Sequence, residues 1–350
     1  MAKEGINESN LTAVISSKID KSNWSLCIGA GCSFPIFPLW DELAQELIKK
    51  VTPTLSNASL EKLKGEIRPD SLIQSTFNRT QSSHDEYVKL LGEVLYSKIK
   101  SRLSTKEWII FKKCISAKCP SEESQWKEYV EIIEKSLGIT SSYHLAKLIV
   151  RTLETKFEPS YILTFNAEPF LYSLINAFIF LDKGLRKQYL DFITQSISTR
   201  HKKRIPYIFC HGFIPVPEVR KTFNKKINSA DKLVFLENEY SQLANNSYSW
   251  QAASFMEVIN TSTVVFIGLS LTDPNMRRWL SWTHASRLNE IRHLDPNVND
   301  STKHYWINLE PSDLMLKKWY EASVAHLGVR LIWLKDWANL EVTLKTIVKI

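Results

Sequence analysis

Seven short apolar runs constrain the fold of this chain more than any other feature. WSLCI (24–28), YILTF (161–165), PYIFC (206–210), LVFL (233–236), TVVFI (263–267), HYWINL (304–309) and VRLIWL (329–334) are mostly apolar from end to end. A strand with one face in water alternates apolar and polar residues, whereas a near-continuous run suits a parallel strand covered on both faces. Between the runs the apolar spacing changes to three and four residues, as at Trp40, Leu43, Leu47 and Val51. Helices are expected there, from Pro169 through Leu181, over 239–260, 274–292 and 312–326, and at the chain end. Strand and helix alternate, which predicts an α/β fold with a doubly wound, mostly parallel sheet.

Residues 58–155 break the alternation. They are polar and charged, and positions such as Tyr87, Leu90, Leu91, Val94 and Leu95 keep a helical period with no convincing strand. The expected organisation is a sheet domain built from 1–57 and 156–350, with 58–155 as an inserted helical subdomain. The length of 350 residues is ample for this. No apolar run approaches the roughly 18 residues of a membrane span, and the opening MAKEGINESN lacks the apolar stretch of a secretory signal. A cytoplasmic protein with no membrane contact is expected. The five cysteines are odd in number and widely spaced, as buried thiols are in a reducing compartment. Cys114 and Cys119 form the one close pair, with no second pair and no histidine cluster nearby, so no metal is expected.

The formal net charge is +8, and it is uneven. Residues 183–232 hold 12 basic against 3 acidic side chains, running through His201-Lys202-Lys203-Arg204 and Arg220-Lys221 to Lys225-Lys226. Three readings stay open for this stretch: a solvated connector, a basic rim that draws in an anionic substrate, or a contact for nucleic acid or an acidic partner.

A doubly wound sheet binds its ligand outside the carboxyl ends of its strands. Those ends here carry Gly29-Ala30-Gly31-Cys32-Ser33, Asn166-Ala167-Glu168, His211-Gly212, Gly268-Leu269-Ser270 and Asn308. All are expected to line one nucleotide-binding crevice. Two glycines after a strand allow a tight turn that offers N–H groups to a pyrophosphate, with Ser33 as a further donor. The same glycines could equally serve a purely structural turn, because Phe34 interrupts the GxGxxG dinucleotide fingerprint and no phosphate-loop GKS or GKT follows. His211 can take a proton near neutral pH, and Gly212 lets a ligand approach it. Asn166 can hold a water or a ribose hydroxyl without adding charge. Glu168 before Pro169 and Asp273 before Pro274 read first as helix caps.

GAGCS followed by Pro38-Leu39-Trp40, then TFN, HG, the segment FIGLSLTDPNMRRWL (266–280) and IN, in this order, resemble the sirtuin fold. The likeness is to the sirtuin-like domains of bacterial anti-phage defence proteins and covers about 24–55 and 160–335. It implies a Rossmann-like fold that binds NAD+ and breaks the bond between nicotinamide and ribose. By this resemblance Gly29, Ala30, Gly31 and Ser33 contact the phosphates. Asn166 and His211 act at the reacting ribose, Gly268 and Ser270 match the Gly-x-Ser segment, and Asn308 lies near the adenosine ribose. The four-cysteine zinc module of protein-deacylating sirtuins is missing from the chain. Their Pro-Asp-Phe-Arg is replaced by Pro38-Leu39-Trp40-Asp41, and their Asp two places after the Asn by Glu168.

Those departures make an acyl-lysine peptide a poor substrate and water the simpler acceptor. The reading that results is an NAD+ hydrolase giving nicotinamide and ADP-ribose, with Asn166 placing water or ribose and His211 as base. The resemblance further implies an abortive-infection effector held inactive until triggered. Control would come from assembly as a homo-oligomer, a hexameric translocase-type ATPase partner or a phage-derived trigger, and nucleic acid is a further candidate partner through 183–232. The alternative is a subunit that holds NAD or a related nucleotide without cleaving it.

Overall fold

A computed structural model describes residues 3–12, 23–116, 123–184, 188–196, 198, 200–219, 221–222, 225–226, 233–239, 241, 249–298 and 302–348. Eight strands form one sheet: β1 (Ile6–Asn7), β2 (Trp24–Ile28), β3 (Ile162–Thr164), β4 (Leu190–Ile193), β5 (Ile205–Phe209), β8 (Thr263–Ile267), β9 (His304–Leu309) and β10 (Val329–Leu334). Two-residue strands β6 (Lys221–Thr222) and β7 (Lys225–Lys226) pair with each other alone. The sheet order is β1-β10-β9-β8-β2-β3-β5-β4, and every neighbouring pair in it is parallel.

The two faces of the sheet make separate cores. Leu26, Ile28, Tyr207, Phe209 and Ile267 point to one, while Cys27, Ile208, Cys210, Phe266 and Trp306 point to the other. On the first face lie helix Phe170–Lys183 and the helices of the 58–155 region, which contribute Tyr87, Phe111, Tyr129 and Ile149. The second face carries Trp250–Thr261, Pro274–Leu294 and Leu314–Ala325, through Phe255, Trp279 and Val324. Burial on both sides accounts for the near-continuous apolar runs.

Between β2 and β3 the described residues form helices and no strand, from Trp40–Val51 to Ser141–Thr152. Local signals set several boundaries. Ser83 with Glu86, and Ser104 with Glu107, form reciprocal capping boxes at two helix starts.

The structure departs from the sequence reading at 233–236 and at the two edges of the sheet. Residues 233–236 form no strand, although all four are buried. Val234 N–H donates to the His211 carbonyl, and the N–H groups of Phe235 and Leu236 go to the Glu239 carboxylate, so the backbone is satisfied without a ladder. Of the helix expected over 239–260, residues 239 and 241 are helical and Trp250–Thr261 forms a helix capped by Ser249, with 240 and 242–248 outside the described residues. Strands β1 and β4 were not expected and occupy the two sheet edges.

At β2 the direction of winding reverses. β3, β5 and β4 lie on one side of β2, and β8, β9 and β10, later in the chain, lie on the other. The loops after β2 and β8 therefore flank the switch point where sheets of this kind bind ligands.

Candidate functional site

Register brings five strand ends to one level. Ile28 pairs with Thr164 and Ile267, Thr164 with Phe209, and Ile267 with Ile307. The next residues in each chain segment, Gly29, Phe165, Cys210, Gly268 and Asn308, thus lie along one edge. Asn166 and His211 follow one step farther out on β3 and β5.

The glycines are required first by each other. A Cβ on Gly29 would stand 2.5 Å from the Gly268 carbonyl oxygen, and one on Gly268 would stand 2.5 Å from the Cys32 nitrogen. Gly268 also has φ +67°, a conformation that favours glycine. These close approaches carry hydrogen bonds from Gly29 N–H to the Ile267 carbonyl and from Gly31 N–H to the Gly268 carbonyl, both 3.0 Å. Two of the N–H groups expected to face a pyrophosphate are therefore spent inside the protein. Ala30, half-buried at the loop tip, has no carbonyl partner for its N–H among the described residues.

Ser33 is fully buried and faces inward. Its Oγ lies 3.1 Å from Ser142 Oγ, on helix Ser141–Thr152, and 3.4 Å from Asn166 Nδ2. Asn166 is 2% exposed; its Nδ2 donates to Glu168 Oε1 at 2.8 Å, and its N–H to Thr164 Oγ1. Its Oδ1 is buried and accepts no hydrogen bond. An ionised carboxylate only accepts, so Glu168 fixes which end of the amide faces it and leaves the oxygen as the acceptor on the other side. Glu168 Oε2 also accepts the Phe170 N–H at the start of helix Phe170–Lys183. Burial raises its pKa to about 7, against hydrogen bonds from Ser33, Phe170 and Asn166 that favour the charged form.

His211 follows β5 by two residues. It is buried, its ring meets Phe165 edge to face at 4.8 Å, and burial lowers its pKa to about 4, with the Asp273 charge pulling the other way. At neutral pH the imidazole is uncharged, in the shadow of an anion that would stabilise its protonated form. Gly212 follows at φ +74°. Asp273 caps helix Pro274–Leu294, accepting the Met276 N–H at 2.8 Å, with Pro274 in the first turn. The loop between β8 and this helix holds a second left-handed residue, Leu271 at φ +53°, whose carbonyl accepts from Arg277.

The remaining expected residues lie at the rim. Ser270 is exposed, with Oγ 2.7 Å from Thr272 Oγ1, and Asn308 is half-buried with Oδ1 accepting the Leu309 N–H. The site thus divides into a buried polar cluster of Ser33, Asn166, Glu168 and Ser142, a His211–Asp273 pair, and an outer rim of Ala30, Ser270 and Asn308. Sequence reasoning placed Glu168 along the crevice but read it and Asp273 first as helix caps, and it passed over Ser142, which no local signal marks.

Much of the basic stretch is far from this edge or outside the described residues, where Arg186, Lys187, Arg220 and Lys232 fall. His201 and Arg204 precede β5, at the opposite end of the sheet, and both bond to the buried Asp191, at 2.8 and 3.4 Å. Arg200 pairs with Glu257. Lys202 and Lys203 are exposed.

Cys27, Cys32, Cys114 and Cys210 are buried free thiols, and Cys119 lies outside the described residues. Burial pushes the Cys114 thiol up to about 12. Among the described residues no three His, Cys, Asp or Glu gather as a metal site would, and no helix is long and apolar enough to cross a membrane.

No curated protein matches the chain closely. Residues 173–332 match the family model of the SIR2-like domain, and SIR2-like domains use NAD+. The matched span takes in His211, Gly268, Ser270 and Asn308, and it stops short of Gly29–Ser33 and Asn166. The match covers 160 of the 350 residues and agrees with the parallel sheet, so this part of the chain is similar to a SIR2-like domain.

Proposed function

We propose that the protein hydrolyses NAD+ to nicotinamide and ADP-ribose at the edge formed by β2, β3, β5, β8 and β9. The unpartnered, buried Oδ1 of Asn166 carries this reading. A buried acceptor without a donor costs about 1–3 kcal/mol, and a ribose hydroxyl or a water is the kind of group that would satisfy it. The ribose end of the substrate fits here. For the pyrophosphate, the exposed Ser270 hydroxyl and the Ala30 N–H are the available donors, since Gly29, Gly31 and Ser33 have their hydrogen-bonding groups turned inward.

In the reaction the bond between ribose C1′ and the nicotinamide nitrogen breaks, its electron pair staying with nicotinamide and neutralising the pyridinium. A water oxygen bonds to C1′ and loses one proton. Once that oxygen is attached to a cationic ribose its protons are strongly acidic, so a neutral imidazole with a low pKa suffices to accept one. His211 is held in that neutral state by burial, and Asp273 favours the imidazolium that forms. Asn166 orients the water or the ribose through Oδ1.

A role as an abortive-infection effector in anti-phage defence belongs to the same proposal and rests on the sirtuin-like resemblance. So do control by assembly into a homo-oligomer, by a translocase-type ATPase or by a phage component. Nicotinamide release from NAD+ by the purified chain, alone and with such partners, tests the chemistry. We expect Asn166→Ala and His211→Ala each to lower the rate at least about 100-fold while leaving the fold intact. Nucleotide binding with no nicotinamide under any condition overturns hydrolysis in favour of a binding subunit.

A further inference from the structure

We infer that Glu168 is a positioning residue of this site: its ionised carboxylate pins the Asn166 amide by Nδ2 and so fixes Oδ1 as the acceptor offered to the substrate or water. The inference rests on the proposed role of Asn166 and adds the group that decides its orientation. An asparagine amide can present either end, and rotating it by half a turn would put a donor where an acceptor is needed. Glu168 removes that freedom. Oε1 receives Asn166 Nδ2 at 2.8 Å while Oε2 receives the Phe170 N–H at the start of helix Phe170–Lys183, so the carboxylate itself is held from two sides. Both residues are buried, at 3% and 2% exposure, so water does not compete for these bonds.

The clamp has a protonation requirement. The titratable groups that face Glu168 are Cys32 from the loop after β2, Tyr96 and Tyr129 from the helical region, and Tyr207 from β5; burial raises all four, which are neutral at pH 7. Glu168 is the member of this cluster that changes charge near neutrality, at about 7. Below that value the carboxyl gains a proton, loses one acceptor position and no longer dictates the amide. The clamp is therefore complete above about pH 7 and is lost as pH falls through it.

The experiment follows the Asn166 side-chain NH2 signals by NMR in the full chain labelled with 15N-asparagine, assigned by their loss in Asn166→Ala. Between pH 5.5 and 8.5 we expect them to titrate with a midpoint near 7 in the wild type and to stay fixed in Glu168→Gln, whose amide cannot accept from both donors at once. Signals that do not move in the wild type overturn the inference, as does an unchanged titration in Glu168→Gln; the wild-type titration alone decides if that variant does not fold. Nicotinamide release, measured in parallel, should fall at least tenfold in Glu168→Gln through kcat rather than KM, and should lose its rise between pH 6 and 8. A titrating Asn166 in a protein that releases no nicotinamide leaves the clamp standing and overturns hydrolysis instead.

Discussion

The chain has ten glycines, and they are not equally constrained. Gly268 combines φ +67° with a Cβ position 2.5 Å from the Cys32 backbone nitrogen. An alanine there pays for a left-handed conformation and forces apart two loop backbones. Gly268→Ala should cost about 2–4 kcal/mol in denaturant unfolding and also weaken nucleotide binding, because the loops after β2 and β8 move together. Gly65, near the end of helix Asn57–Glu66, has nothing within 4 Å of its Cβ position, and Gly65→Ala should stabilise by a few tenths to about 1 kcal/mol. Equal effects at both positions would mean that the loop contact is looser than drawn. The contrast also refines what a glycine signals. At Gly29, Gly31 and Gly268 the backbone that approaches is another strand-end loop, so the ligand site is shaped by these residues more than touched by them.

At the scale of elements, the helix Pro274–Leu294 shows one residue serving two purposes. Asp273 caps it and also supplies the charge that opposes the lowering of the His211 pKa. Asparagine caps a helix about as well as aspartate but carries no charge. Asp273→Asn should therefore keep the thermal midpoint within a few degrees and move the His211 titration, read from its imidazole NMR signals, below its value of about 4. An unmoved His211 would show that the Asp273 charge is not felt at the imidazole. This helix was legible because an acid followed by proline and a long helical period is a local signal. Strands β2, β3, β5, β8, β9 and β10 were legible for a related reason, since burial on both faces writes itself as an apolar run. Residues 233–236 write the same run, but their N–H groups are taken by the His211 carbonyl and by Glu239, partners that no local pattern shows. Strand β4 was missed because Asp191 interrupts its short apolar stretch, and β1 because two residues carry no period at all.

The molecule as a whole joins the helical region to the site through one core. Ser142, 109 residues from Ser33 in sequence, lies against it, and Tyr129 Oη shares a 2.6 Å hydrogen bond with Ser173 Oγ of helix Phe170–Lys183. Such convergence explains why the strand ends could be read from sequence while the buried polar cluster could not: Glu168, Asn166 and Ser33 acquire their meaning only when Ser142 closes over them. Phe111, fully buried in helix Thr105–Ile115, belongs to the same continuous cluster as Ile28, Phe170 and Phe209. If the helical region were an independent unit, a cavity at Phe111 would loosen that unit and leave the sheet alone. With one shared core, Phe111→Ala should cost about 3–5 kcal/mol, and amide hydrogen exchange in β8, on the far side of β2 from β3, should lose protection by the same free energy as the helices around Phe111. Exchange in Val264–Ile267 that stays at its wild-type rate while Thr105–Ile115 opens would divide the molecule in two. A uniform loss would mean that whatever displaces the helical region also reaches Ser33 and Asn166, which gives a trigger acting there a physical route to the site.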